Sequence, residues 1–243
     1  MTRRPFFVGW AAGSARPIAG FLVAWVLVLL AGAGGLALAL GSRVDDPGNG
    51  EFLGDRVYTG VLVEHPYPLL VVPPDAEHPA GHAVVMSGGG KRGVQPEAAG
   101  LRGRLVRASG TLVHRGDVDM LLVEQLKAVE GAAASVEPVN LGRWRVVGEI
   151  CDGKCVSGVM RPGQGLSHKA CANVCLLGGV PPILVTTQPV AGSIFLLMGD
   201  PDGRALPDAF RDHVGVPRRM DGTVQRIGDL LVFRTDVTKA IVP

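Results

Sequence analysis

Hydrophobic residues form one uninterrupted run near the N-terminus of the chain. No charged residue occurs between Arg16 and Arg43, and the intervening IAGFLVAWVLVLLAGAGGLALAL is long enough to cross a hydrocarbon core of about 30 Å as a helix. The run is also longer than the apolar segment of about 7–15 residues that is typical of a cleaved signal peptide. We therefore predict a transmembrane helix over 17–41 that stays in the mature protein.

The charges that flank this helix indicate its orientation. Arg3, Arg4 and Arg16 precede it, whereas Arg43 is followed within three residues by Asp45 and Asp46. Because positively charged flanks stay in the cytoplasm, residues 1–16 are expected to be cytoplasmic and the rest of the chain extracytoplasmic. The prediction is a single-pass protein of a bacterial inner membrane with its globular part in the periplasm.

Beyond the helix, apolar and polar residues alternate over short segments that are separated by turns. The stretch GRLVRASGTLVHRGDVDMLLVEQLKAVE (103–130) predicts two strands around Gly116, and VPRRMDGTVQRIGDLLVFRTDVTKAI (216–241) has the same order. Gly110-Thr111 in the first stretch aligns with Gly222-Thr223 in the second. The pattern therefore predicts a repeated β module.

The two halves also open in the same way, with the strand-like segments VYTGVLV (57–63) and WRVVGEI (144–150), each with a central glycine. Glycine-bent strands in this order resemble the OB fold, a small five-stranded barrel. We predict a mainly β chain with one OB-like domain over 42–130, a linker rich in small residues over 131–142, and a second OB-like domain over 143–243. This architecture by itself implies no activity.

Composition narrows the classes of function. The chain has 243 residues, a net charge of +2 and few aromatic residues, so no nucleic-acid partner is expected. The Gly-rich segment MSGGGKRG (86–93) lacks the spacing of a phosphate-binding loop, and no GxSxG motif occurs. Five histidines are scattered, and we expect them in exposed loops rather than in a ligand set: His65, His78, His82, His114 and His213.

All four cysteines fall in one insertion of the second module, over 151–182. Cys151 and Cys155 form one C-x3-C pair, and Cys171 and Cys175 form another, with His168 three positions before the latter. A helix over HKACANVCLL, with Ser167 as its N-cap, would place His168, Cys171 and Cys175 on one face. The glycine-rich loop before it carries Lys154 and Met160 and is expected to fold back over the second pair.

Three interpretations of this insertion remain open. The cysteines form two disulfides, Cys151–Cys175 and Cys155–Cys171, as is common in an exported protein. Alternatively, Cys151, Cys155, Cys171, Cys175, His168 and Met160 hold a metal ion or an iron–sulfur cluster, for which thiolates and imidazole are suitable ligands. In the third, Cys171 or Cys175 takes part in thiol–disulfide exchange, activated by a helix N-terminus and Lys169.

The string KCVSGVMRPGQGLSHKACANVCLLGGVPP resembles a motif of bacterial membrane-anchored proteins of unknown function. Its C-x3-C pair with a histidine and a methionine is also similar to the dinuclear copper centre of oxidase subunits and copper-delivery proteins, although His168 here precedes the pair. The first resemblance implies a dedicated site but no particular activity. From the four-cysteine cluster, the shared face of His168 and two cysteines, and the membrane anchor, we predict a metal or redox centre that is accessory to electron transfer or to the assembly of a membrane oxidoreductase complex. The alternative is a non-catalytic adaptor whose barrels bind partner proteins.

Overall fold

A computed structural model of the chain describes residues 16–41 and 48–243. Its first element is helix α1, Arg16–Gly41. Residues 18–39 of this helix are long and apolar enough to cross a membrane, and their side chains are exposed. Arg3, Arg4 and Arg43, on which the predicted orientation rests, lie outside the described residues. The cytoplasmic position of the N-terminus therefore stays a prediction.

The second compact unit of the chain, Asp46–Pro243, contains two closed five-stranded barrels. In the first barrel the strands lie in the order β1-β2-β3-β5-β4, and β4 pairs with β1 to close it. Its strands are β1 (Glu51–Val63), β2 (Leu69–Val72), β3 (His82–Ser87), β4 (Leu105–Arg115) and β5 (Val118–Ala128), and the short helix α2 (Gln95–Ala98) lies between β3 and β4.

The second barrel repeats this order along the chain. Its strands are β6 (Val139–Asp152), β7 (Pro182–Val190), β8 (Ser193–Gly199), β9 (Pro217–Ile227) and β10 (Leu230–Thr235), and the helix α3 (Lys169–Leu177) lies between β6 and β7. The third and fifth strands of each barrel are parallel, and the other neighbours are antiparallel. The prediction of a mainly β chain with two small barrels is confirmed.

Strand register shows that the two barrels are equivalent in detail. Gly110 on β4 and Gly222 on β9 each lie against the backbone of the next strand, where a Cβ atom would approach a carbonyl oxygen to 2.0 Å and 2.3 Å. Only glycine fits such an approach, so the Gly-Thr steps mark the same place in both barrels. The first strands correspond as well, because Gly60 pairs with Val106 and Gly148 pairs with Arg218.

The two barrels share an apolar core. Alternating apolar positions of β2, β3 and β5 pack against those of β7, β8 and β10, and Phe195 is among the largest fully buried side chains there. Burying a side chain of this size stabilises the fold by about 1.5–3 kcal/mol. β6 begins at Val139, inside the interval assigned to a linker from the sequence, so the connection between the last strand of one barrel and the first strand of the other is 129–138.

Candidate metal centre

The cysteine-rich insertion connects the first and second strands of the second barrel. It spans 153–181, whereas the equivalent connection of the first barrel spans only 64–68. The insertion begins with a π-helical turn, Cys155–Val159, and continues through a loop to a 3₁₀ turn, Leu166–His168, and helix α3. His168 is the N-cap residue of α3 rather than Ser167, because the 3₁₀ turn occupies the position where a Ser167 cap was expected.

Side chains from the two ends of the insertion converge. A ring nitrogen of His168 and the sulfurs of Cys155 and Cys171 lie within 4.8 Å of one another, and so do a carboxylate oxygen of Asp152 and the sulfurs of Cys155 and Cys175. Cys155 belongs to both triads and therefore lies at the centre. The predicted helical face of His168, Cys171 and Cys175 meets the preceding loop here, as the sequence led us to expect.

Asp152 organises the buried side of this cluster. Its side chain is fully buried, Oδ1 accepts a hydrogen bond from the Cys155 backbone N–H at 2.9 Å, and Oδ2 lies 3.1 Å from Nε2 of His168. A carboxylate on one ring nitrogen of a histidine fixes the ring and leaves the other nitrogen available to a metal ion. Asp152 follows Cys151 directly in the chain, and sequence reasoning did not include it in the site.

The outer side of the cluster is more open. Cys171 is partly exposed, and the sulfur of Met160, whose residue is 45% exposed, lies 3.5 Å from the Cys171 sulfur. The apolar residues Val174 and Leu177 on α3 are also exposed. The possible metal ligands therefore include buried thiols as well as a thiol and a thioether that solvent can reach.

The first barrel contributes two backbone carbonyls and a lysine to the surroundings of the cluster. Lys154 of the insertion is buried and donates hydrogen bonds to the carbonyl oxygens of Gly88 and Gly90, the latter at 2.7 Å, in the glycine-rich segment after β3. Lys91 of the same segment donates to the Cys171 sulfur at 2.8 Å. Lys169, which was expected to activate a cysteine, instead donates to the Asp212 carbonyl oxygen.

The glycine-rich segment and the end of α3 fit closely. The Gly93 N–H donates to the Gly178 carbonyl oxygen at 2.9 Å, and a Cβ atom on Gly178 would approach the Lys91 carbonyl oxygen to 1.9 Å. A side chain at Gly178 would therefore push the two segments apart. This packing positions Lys91 against the cysteine cluster.

The thiols and lysines perturb one another's protonation. A hydrogen bond from Cys155 to Cys175, followed by burial, raises the pKa of Cys155, and the same bond lowers the pKa of Cys175 despite burial. The hydrogen bond to Cys171 raises the pKa of Lys91, and burial lowers the pKa of Lys154. Of the two hydrogen-bonded thiols, Cys175 is therefore the more acidic.

Cys151 lies elsewhere. It belongs to neither triad among the described residues, packs in the core shared by the barrels, and has its sulfur 3.3 Å from Oε1 of Glu149. Burial, together with the charge of Glu149, raises the pKa of its thiol. In strand register Cys151 is equivalent to Val63 of the first barrel, a position that faces the same core.

All four cysteines are free thiols in the structure. The first of the two disulfides considered from the sequence would join Cys151 to Cys175, which lie in different apolar clusters. The second would join Cys155 to Cys171, whose sulfurs are near one another in the cluster. The four thiols are therefore not arranged as two symmetric disulfides.

A second polar cluster lies where the β9–β10 turn meets the first barrel. Nδ1 of His82 lies 2.7 Å from Asp229, and Nε2 of His82 lies 3.0 Å from Asp119. Asp119 also lies 2.7 Å from Nδ1 of His114. Burial alone would lower the pKa of His82, but the hydrogen bonds to both carboxylates outweigh it and raise the pKa to about 9. The expectation of exposed loops is wrong for His82 and His114, which lie on β3 and β4. His78 does lie in a loop, but it contacts the same cluster and is not scattered.

The chain matches no protein-family model, no curated protein and no solved structure. The resemblance of its cysteine-rich motif to that of bacterial membrane-anchored proteins therefore stays a prediction. The class that fold and site define is a double-barrel protein with an apolar N-terminal helix and a sulfur-rich cluster beside the junction of the barrels.

Proposed function

We propose that this protein is a membrane-anchored metal-handling protein whose cysteine cluster binds one soft metal ion, Cu(I), outside the cytoplasm. The observation that carries the proposal is a pair of donor triads that share the Cys155 sulfur, one with Cys171 and His168 and the other with Cys175 and Asp152. Sulfurs bound to one ion at about 2.3 Å each lie within about 4.6 Å of one another. The spread of both triads fits a single ion better than an iron–sulfur cluster, whose ligands bind different irons.

Met160 favours copper over zinc. Zinc sites in proteins use thiolate, imidazole and carboxylate ligands, whereas thioether sulfur is a ligand of Cu(I). The Met160 sulfur lies beside Cys171 at the exposed edge of the cluster. Removing it is expected to weaken Cu(I) binding and to leave Zn²⁺ binding unchanged.

The same exposed edge supports delivery of the metal to another protein. Buried Cys155 and Cys175 retain the ion, while Cys171 and Met160 are within reach of ligands from a partner. Helix α1 would keep the site close to the membrane, and the partner that we propose is an integral membrane oxidoreductase complex, served by metal delivery during assembly or by electron transfer. The adaptor alternative, in which the cysteines form disulfides, needs no metal.

The test is metal analysis of the full chain, purified in detergent from its own membranes under anaerobic conditions, with free thiols counted in parallel. Cys155→Ser and Cys151→Ser form a matched pair, since both remove a buried thiol but only Cys155 belongs to the cluster. We expect stoichiometric copper in the wild type and in Cys151→Ser, and its loss in Cys155→Ser.

Zinc in place of copper, with the same response to the two substitutions, would keep the metal centre and correct the ion. A metal-free wild type with its thiols oxidised, or full metal content in Cys155→Ser, would overturn the proposal in favour of the adaptor. Circular dichroism of each variant verifies that the barrels remain folded.

A further inference from the structure

The cluster around His82 has a feature that a simple ion pair does not need. Nδ1 of His82 lies 2.7 Å and Nε2 of His78 lies 3.7 Å from the same oxygen, Oδ2 of Asp229. These three atoms lie within 4.8 Å of one another. Two imidazole nitrogens and one carboxylate oxygen are thus directed at a common point.

The opposite atom of each of these groups already has its own partner. Nε2 of His82 lies 3.0 Å from Asp119, and Nδ1 of His78 lies 3.4 Å from Asp75. Oδ1 of Asp229 accepts a hydrogen bond from the Ala83 backbone N–H at 2.8 Å. A carboxylate behind each histidine is the arrangement that orients metal-ligating imidazoles.

We infer that His78, His82 and Asp229 form a Zn²⁺ site at the junction of the two barrels, separate from the cysteine cluster. Zinc takes imidazole and carboxylate ligands and accepts three protein ligands with water as the fourth. His78 and Asp229 are about one-third exposed, so water reaches the open position. The donor set contains no sulfur, which selects a different class of ion from the Cu(I) of the cysteine centre.

Such a site would link the two barrels. His78 belongs to the loop between β2 and β3 and His82 begins β3, whereas Asp229 belongs to the turn between β9 and β10. The two loops already meet closely, since a Cβ atom on Gly228 would approach the Gly81 carbonyl oxygen to 2.9 Å. Zinc bound to ligands from both barrels would therefore stabilise the folded state at this end of the junction.

Co²⁺ substitution of the full chain in detergent, after treatment with a chelator, distinguishes this site from the cysteine centre. A nitrogen and oxygen site gives ligand-field bands alone, whereas thiolates add an intense charge-transfer band. Mildly alkaline pH limits the competition of protons for the imidazoles. We expect a set of ligand-field bands, additional to those of the cysteine centre, that His78→Gln and Asp229→Asn abolish and that the exposed His65→Gln retains.

Zinc analysis after dialysis gives a second readout, with about one fewer Zn²⁺ per chain in His78→Gln than in His65→Gln. His78 is partly exposed, so the metal-free variant should melt at the same temperature as the metal-free wild type. Unchanged ligand-field bands and unchanged zinc content in both His78→Gln and Asp229→Asn would show that the cluster is only a protonated ion-pair network and would overturn the inference. The thiolate band reports the cysteine centre independently, whichever result is obtained.

Discussion

The two barrels differ most in the connection between their first and second strands. Five residues, 64–68, make this connection in the first barrel, while the second uses 153–181 and places three thiols and a histidine there, beside the buried carboxylate of Asp152 at the end of β6. Strand order and register are otherwise the same. The comparison shows that the barrel is the shared framework and that the proposed chemistry belongs to one insertion.

The first barrel is nevertheless part of the site. Its glycine-rich segment supplies Lys91 to Cys171 and two carbonyl oxygens to Lys154, and its apolar face forms half of the shared core. The second barrel therefore carries the proposed ligands, and the first barrel supports them. Each of the following substitutions tests one part of that division.

Phe195→Ala should have the largest effect, because it removes a large and fully buried side chain from the core that joins the barrels. In strand register Phe195 of β8 is equivalent to the much smaller Ala83 of β3, so the two barrels contribute unequally to the core at this position. We expect a loss of about 3–5 kcal/mol in the free energy of unfolding. Chemical denaturation of the full chain in detergent measures it.

The matched control is Phe52→Ala on β1, where the phenyl ring is 58% exposed. This change should stay within about 0.5 kcal/mol, as is usual for surface positions. A loss below about 1 kcal/mol for Phe195→Ala would mean that the barrels do not depend on their shared core.

Tyr67 lies in the short connection of the first barrel, 64–68, and its substitution tests how that connection is held. Its hydroxyl oxygen accepts a hydrogen bond from the Leu206 backbone N–H at 3.2 Å, and burial raises its pKa from 10.0 to about 12. The folded state therefore holds the phenol proton more tightly than the unfolded state. The resulting stability is complete below pH 10 and is lost as the pH rises toward 12, and it amounts to about 2–3 kcal/mol.

Tyr67→Phe should remove this loss, which denaturation curves recorded from neutral pH to pH 12 will show. At neutral pH the variant should be less stable by about 1 kcal/mol, the usual value of one hydrogen bond. Tyr58→Phe is the control and should keep the contribution of Tyr67. If Tyr67→Phe has the same dependence on pH as the wild type, the phenol is not buried as described.

Local patterns were sufficient to predict the repeated barrels and the face of α3. The Gly-Thr steps at Gly110 and Gly222 mark the same bent strand twice, and the spacing of His168, Cys171 and Cys175 allows one helical face only. Long-range partners leave no such pattern. Lys91 lies 80 residues from Cys171 in sequence, and the packing of the glycine-rich segment against the end of α3 brings them together.

Cys151 and His82 illustrate the same limit. The symmetry of the two C-x3-C pairs suggests that all four cysteines act together, but β6 continues to Asp152, which directs Cys151 into the shared core. Asp229 lies 147 residues from His82 in sequence, so neither residue indicates the other. The length of β6 decides the position of Cys151, and the packing of one barrel against the other decides the partner of His82.

Lys91→Met is the smallest of these changes and tests the support that the first barrel gives to the second. The ammonium group donates to the Cys171 sulfur, and its loss should weaken metal binding about tenfold, at the low end of the range for residues behind metal ligands. Arg92→Met removes the same charge from the adjacent, also exposed residue and should leave the affinity nearly unchanged. Competition with a calibrated Cu(I) chelator measures both. Equal affinities in the two variants would mean that Lys91 contributes only its positive charge and no specific hydrogen bond. The insertion alone would then form the site.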